Sequence, residues 1–116
     1  MSQPKDLIRL RHMRDYAHEA EELIQGRVRG DLDSDRLLGL GLVRLMEIIG
    51  EAANRVSPEY QSQHPSIPWS QIVSLRHRLI HGYDAVDMDI LWQILKNDLP
   101  ILIEELDRIL SKEAES

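Results

Sequence analysis

The segment RHRLIHGY, residues 76–83, gathers Arg76, His77, Arg78, His81 and Tyr83 into one short stretch of the chain. These side chains suit phosphate chemistry. A guanidinium binds a phosphate through paired donors and stabilises charge that develops on it. A histidine is the usual general acid or base near neutral pH. An RNA phosphodiester brings its own nucleophile, the 2′-hydroxyl. A proton carrier and a cation then suffice to cleave it, with no metal and no cofactor.

Two other chemistries fit the segment poorly. His77 and His81 have the four-residue spacing of helical zinc pairs. The position where a zinc peptidase carries its catalytic Glu is Arg78, and a cation beside a metal is unfavourable. Ser70 and Ser74 lack the glycines of a nucleophile elbow. The plain alternative is structural: solvated helix charges at Arg76 and Arg78, paired with Asp84 or Asp87, and His81 as a helix cap.

The segment is expected on the end of a helix, with His81 in its last turn at the negative end of the dipole. His77 and His81 then share a face. Arg76 and His81, five residues apart, diverge by about 140° around the axis. A site that uses both must bend the long arginine back, or borrow one residue from a second copy.

The rest of the chain supplies the scaffold. Its 116 residues are one domain by length, spanning 1–116. The expected fold class is all-α: an antiparallel bundle of four long helices plus a short connector helix. The first helix runs from about Pro4 to about Gln25, with Leu7, Leu10, Met13, Ala17, Ala20 and Ile24 on one face. Ser34 or Asp33 caps a second, whose seam is Leu38, Leu42, Leu45, Ile49, Ala52 and Val56. Gly50 inside that seam fits a close approach by another helix.

A short connector is expected from Pro58 to Gln63. Pro68 opens the third long helix, with Trp69, Ile72, Leu75 and Leu79 inward and Gly82 as its left-handed stop. Asp87 caps the last helix, which runs to about Ser111 and bends at Pro100 without losing its phase. Ile90, Trp92, Ile94, Ile101 and Ile103 add apolar surface beside its main stripe, which points to a second copy or a partner.

Composition narrows the function further. With 20 acidic and 14 basic side chains the net charge is −6, which argues against broad coating of nucleic acid but not against a small basic site. Two Trp, three Tyr and no Phe are too few for a stacking platform along single strands. There is no Cys and so no disulfide. No apolar run approaches the roughly 20 residues of a membrane span. A soluble, cytoplasmic protein is expected.

Arg76, His81 and Tyr83 together resemble the Arg-x4-His-x-Tyr signature of the HepT-like toxins of the HEPN superfamily. EIIGEAANRV at 47–56, Pro68-Trp69, LRHRLIHGY and the stretch from Asp87 to Pro100 resemble that family in order and spacing. The resemblance covers nearly the whole chain. It implies a HEPN-like helical homodimer with its motif helices near the dimer axis. It also implies metal-independent endoribonuclease activity on RNA, with Arg76 on the phosphate and His81 in proton transfer.

A minimal nucleotidyltransferase antitoxin is the implied partner, transferring AMP to Tyr83. The added charge and bulk would occupy the arginine and block RNA. Family members often carry Asn or another small polar residue after the arginine; His77 stands there in this chain. Glu47 and Glu51, one turn apart, either approach Arg76 or His81 and orient them or are solvent-facing acids of an acidic protein. Arg9, Arg11 and Arg14 are candidates for an RNA path along the first helix, and Arg78 for support of the motif. The competing reading is a non-catalytic helical dimer that docks the nucleotidyltransferase and is modified by it.

Overall fold

The computed structural model describes residues 4–82 and 85–115, and the chain is mostly helical. Helix α1, Pro4–Leu23, opens on its proline and stops where Gly26 takes a φ of 72°. A short turn of helix, α2 (Asp31–Ser34), precedes the long helix α3 (Arg36–Asn54). The cap of α3 is Asp35, whose carboxylate accepts from the Leu38 backbone N–H at 3.1 Å. Neither Ser34 nor Asp33 caps it, because both belong to α2.

The connector α4, Pro58–Gln63, is capped by Ser57. The Ser57 hydroxyl accepts from the Tyr60 backbone N–H at 3.2 Å and donates to Asp6 at 2.7 Å. The Ser57 backbone N–H donates to the same carboxylate at 2.8 Å. Asp6 is buried, so this cluster fixes the start of α1 against the start of α4.

In place of a third long helix there are two five-residue helices, α5 (Trp69–Val73) and α6 (Leu75–Leu79). The break falls at Ser74, whose hydroxyl donates back to the Gln71 carbonyl at 3.1 Å. Such a bond competes with the helical ladder. Trp69, Ile72, Leu75 and Leu79 are all buried, as their spacing requires.

Helix α6 ends at Leu79. Ile80 is extended, and Ile80–His81 (β1) pairs antiparallel with Ala85–Val86 (β2), Ile80 opposite Val86 and His81 opposite Ala85. Gly82 does take a left-handed φ of 80°, but beyond β1 rather than as the stop of a helix.

Asp87 caps α7 (Met88–Gln93), accepting from the Ile90 backbone N–H at 3.0 Å. A π-helical turn, Ile94–Asp98, joins α7 to α8 (Leu99–Glu115). The Leu99 N–H reaches back to the Ile94 carbonyl. Pro100 has no N–H to offer the Lys96 carbonyl, and the wider turn just before it accommodates that loss. The result is one continuous run of helix from Met88 to Glu115, four residues longer than the expected end at Ser111.

Helix α1 packs on α3 and α8, and α3 also packs on α5 and α6. The seams meet in one core: Leu10, Met13, Leu42, Ile49, Leu91 and Leu106 are among its fully enclosed members. Each such side chain contributes about 1.5–3 kcal/mol by leaving water. The apolar surplus on the last helix is mostly absorbed by the same chain. Ile94 and Ile103 are buried, Ile90 and Trp92 are half-buried, and only Ile101 of the five is open, at 63% exposure. A broad inner face accounts for four of the five, and Ile101 stays open.

Candidate active site

The basic segment is positioned by α3. An ideal Cβ at Gly50 would stand 3.0 Å from the Ile72 carbonyl oxygen and 3.7 Å from that of Val73. The missing side chain lets the α5 backbone lie directly on α3. Helix α6 follows after one residue and carries Arg76 over the polar face of α3. There the Arg76 Nε lies 3.3 Å from Glu47 Oε2.

The arginine side chain is 70% exposed and the glutamate 24%. An ion pair this open is worth little, so a phosphate can compete with Glu47 for the guanidinium. Glu47, Glu51 and Asn54 of α3, Val73 of α5 and Arg76 and His77 of α6 line one open cleft, floored by Gly50.

The cleft unites four of the residues singled out by type and spacing: Arg76, His77, Glu47 and Glu51. It leaves out Arg78. Two residues on from Arg76, Arg78 points about 200° away around a helix. Its guanidinium donates to Asp98 on the π-helical turn at 3.3 Å, in the wall of a separate, mainly apolar groove.

His81 is exposed on β1, beyond the end of α6, and is not among the residues that line the cleft. It is therefore outside the helix, its dipole and the shared face with His77. The 140° divergence expected from a straight helix does not apply. Tyr83, and Asp84 as a partner for the arginines, lie outside the described residues.

Gly50, Asn54 and Val73 complete the cleft and were not singled out as site residues. Asn54 had a visible signal: with Glu47 and Glu51 it repeats at helical spacing, opposite the leucine seam. Val73 had none, because its place depends on the break at Ser74. Among the described residues no group of three or more His, Cys, Asp or Glu side chains could hold a metal ion. Among them, too, no helix is long and apolar enough to cross a membrane.

Comparison with known proteins gives a consistent result. The family model described as "Ribonuclease HepT-like" matches residues 13–109. A relative from Caldanaerobacter subterraneus subsp. tengcongensis, provisionally named an RNase, is 37% identical over 99 residues, covering 82% of this chain and 88% of its own length. One from Thermococcus cleftensis, provisionally named ribonuclease HepT, is 35% identical over 95 residues, 78% of this chain and 86% of its own. A third, from Methanocaldococcus jannaschii and also provisionally named an RNase, is 34% identical over 74 residues, 64% of this chain and 68% of its own. No solved structure matches.

Proposed function

This chain belongs to the family of HepT-like ribonucleases, and we propose that it is the toxin of a toxin–antitoxin pair, an endoribonuclease that cleaves RNA with Arg76 and His81 and without a metal ion. The observation that carries the reading is the open Arg76–Glu47 pair in a cleft shared with His77, a few residues before His81. Glu47 engages the guanidinium through Nε. The guanidinium, 70% exposed, can present its fork of N–H donors to the non-bridging oxygens of a phosphate.

The chemistry needs no activated water. The RNA 2′-hydroxyl attacks the adjacent phosphorus, so an O2′–P bond forms as the P–O5′ bond breaks. His81 takes the proton of the 2′-hydroxyl. A protonated imidazole, from the same residue or from that of a second copy, supplies the proton to the leaving 5′-oxygen. The products are a 2′,3′-cyclic phosphate and a 5′-hydroxyl end. Arg76 binds the phosphate and stabilises the charge that builds on it in the transition state. Metal independence rests on this inventory: the substrate supplies the nucleophile, and the guanidinium supplies the positive charge.

In this reading the active form is a homodimer whose motif segments face a common cleft. A cognate nucleotidyltransferase is the antitoxin. The Tyr83 phenol oxygen attacks the α-phosphorus of ATP, pyrophosphate leaves, and the AMP-bearing tyrosine sets a negative phosphate beside Arg76 and His81. The role of Tyr83 rests on the sequence motif.

The test is RNA cleavage in EDTA by the wild type beside His81→Ala, on protein whose intact mass shows Tyr83 unmodified. The expected result is cleavage with cyclic-phosphate ends that the substitution lowers at least a hundredfold. If unmodified dimer leaves both tRNA and mRNA intact, the nuclease is refuted and a docking module modified by the nucleotidyltransferase takes its place.

A further inference from the structure

A second cleft adjoins the first across Glu51. It is lined by Arg9 and His12 of α1, by Ile48, Glu51 and Ala52 of α3, and by Arg55, which caps the C-terminus of α3. Its electrostatics differ from those of the Arg76 cleft, where two carboxylates meet one guanidinium and one imidazole. Here two guanidiniums and an imidazole meet one carboxylate.

Neither Arg9 nor Arg55 forms an ion pair among the described residues, and the same holds for Arg11, Arg36 and Arg44; the other six arginines are paired. Arg9 and Arg55 differ from the other three in lining one cleft, with Glu51 as its single carboxylate. The Arg9 Nε is moreover shut off from solvent with no acceptor among the described residues. Packing against α3 therefore holds that guanidinium in the wall, partly stripped of water and uncompensated. An anion seated in the cleft would offset this charge through the part of the guanidinium that lines it.

We propose that Arg9, His12 and Arg55 form a second phosphate subsite, which holds the RNA backbone at a point away from the scissile phosphate. This rests on the ribonuclease reading for the identity of the ligand. The register follows from α3. Arg55 lies eight residues from Glu47, about 12 Å along the helix. At about 3.4 Å of stacked rise per nucleotide, that is three to four nucleotides from the phosphate on Arg76. Of the basic residues on α1, Arg9 serves this site. Arg11 does not line the cleft, and Arg14 pairs with Asp15 at 3.5 Å. Glu51, between the two clefts, opposes both phosphates.

The experiment compares a dinucleotide with a twelve-nucleotide single strand, measuring binding by fluorescence polarisation across 50–200 mM salt and, in parallel, cleavage. Arg55→Gln and Arg9→Gln are each expected to weaken binding of the long strand about five- to tenfold. Each should also flatten the slope of log Kd against log salt by about 0.7 for every phosphate that is no longer neutralised. Binding of the dinucleotide stays at the wild-type level. In cleavage of the long strand KM rises while kcat holds.

Arg55→Lys keeps the salt slope. Glu51→Gln tightens the long strand, a gain that a merely structural role for this cluster does not produce. Arg55 is exposed, so its variant tests the subsite even if Arg9→Gln fails to fold. Unchanged affinity and slope in Arg55→Gln, on wild type that binds and cleaves RNA, overturns the subsite and leaves the ribonuclease standing. RNA that binds through Arg55 and is never cleaved overturns the nuclease and leaves the subsite. Wild type that neither binds nor cleaves RNA overturns both.

Discussion

Replacing Gly50 with alanine tests whether the Arg76 site depends on close contact between α3 and α5. Two effects oppose each other. Alanine in a helix interior is about 1 kcal/mol more favourable than glycine. Against that, the new Cβ would meet the Ile72 carbonyl oxygen at 3.0 Å. That atom is backbone, so relief requires moving α5 itself. Overpacking of this kind costs about 1–3 kcal/mol. The net expectation is a loss of about 1 kcal/mol.

Gly41 is the internal control. It lies in the same helix, and a Cβ there meets nothing within 4 Å. Gly41→Ala should therefore gain about 1 kcal/mol. Subtracting the two variants cancels the propensity gain and isolates the steric cost, about 2 kcal/mol. In a chain of this size that separates the two melting temperatures by roughly 8 °C. Urea and thermal unfolding measure it directly. RNA cleavage below both transitions should fall in Gly50→Ala alone, because α5 carries α6 and Arg76 with it. Equal stability of the two variants within about 0.5 kcal/mol would refute the claim that helix contact at Gly50 positions the site.

Two further predictions concern the frame around the site. Asp6→Ala removes the acceptor for the Ser57 N–H and hydroxyl at 2.8 and 2.7 Å, and should cost about 3 kcal/mol in urea unfolding, with Asp6→Asn intermediate. His64 stacks on Tyr60 at 4.3 Å, and its pKa is lowered chiefly by burial, with Arg108 adding to the shift and Glu113 opposing it. The folded state therefore favours the neutral ring: the stabilisation is complete above the ordinary value of about 6.5 and is lost as pH falls through the lowered one. Melting curves between pH 8 and 5 should show a smaller acid-side loss in His64→Gln than in the wild type; equal losses would remove His64 as the cause.

The parts of this fold that were legible from sequence are those in which a long period repeats. The seams of α1, α3 and α8 recur over several turns, so each position confirms the phase of the last. Pro58 and Asp87 marked boundaries by backbone chemistry that depends on no distant contact. The errors fall where elements are short. Ser34 and Asp33 looked like caps, but a turn of helix uses them both, and Asp35 takes the role.

The stretch from Trp69 to His81 has inward residues at helical spacing throughout, and that spacing survives the break at Ser74. Burial therefore could not reveal the break. The pairing of Ile80 with Val86 is a contact between two-residue strands, too short to show alternation. Of the residues singled out by type and spacing, Arg76, His77, Glu47 and Glu51 line one cleft, while Arg78 faces another groove, as its angle from Arg76 around a helix implies. Asn54, Val73 and the pairing of Arg9 with Arg55 required the packing of α1 and α5 on α3.

That packing also bears on how an acidic chain can take RNA as substrate. The long-range field of a net charge of −6 repels a polyanion, so attraction has to come from local charge. Much of the positive charge is neutralised in place: Arg29 by Asp33 and Asp89, Arg78 by Asp98, Arg108 by Glu105. On this face a ligand meets Arg76, held by a weak and exposed contact to Glu47, and, in the adjoining cleft, Arg9 and Arg55, which form no ion pair among the described residues. The number of phosphates engaged is then small, and binding is expected to be weak and to have a shallow salt slope. Selection of RNA would come from the arrangement of a few cations around a 2′-hydroxyl that reacts, not from electrostatic capture of the strand.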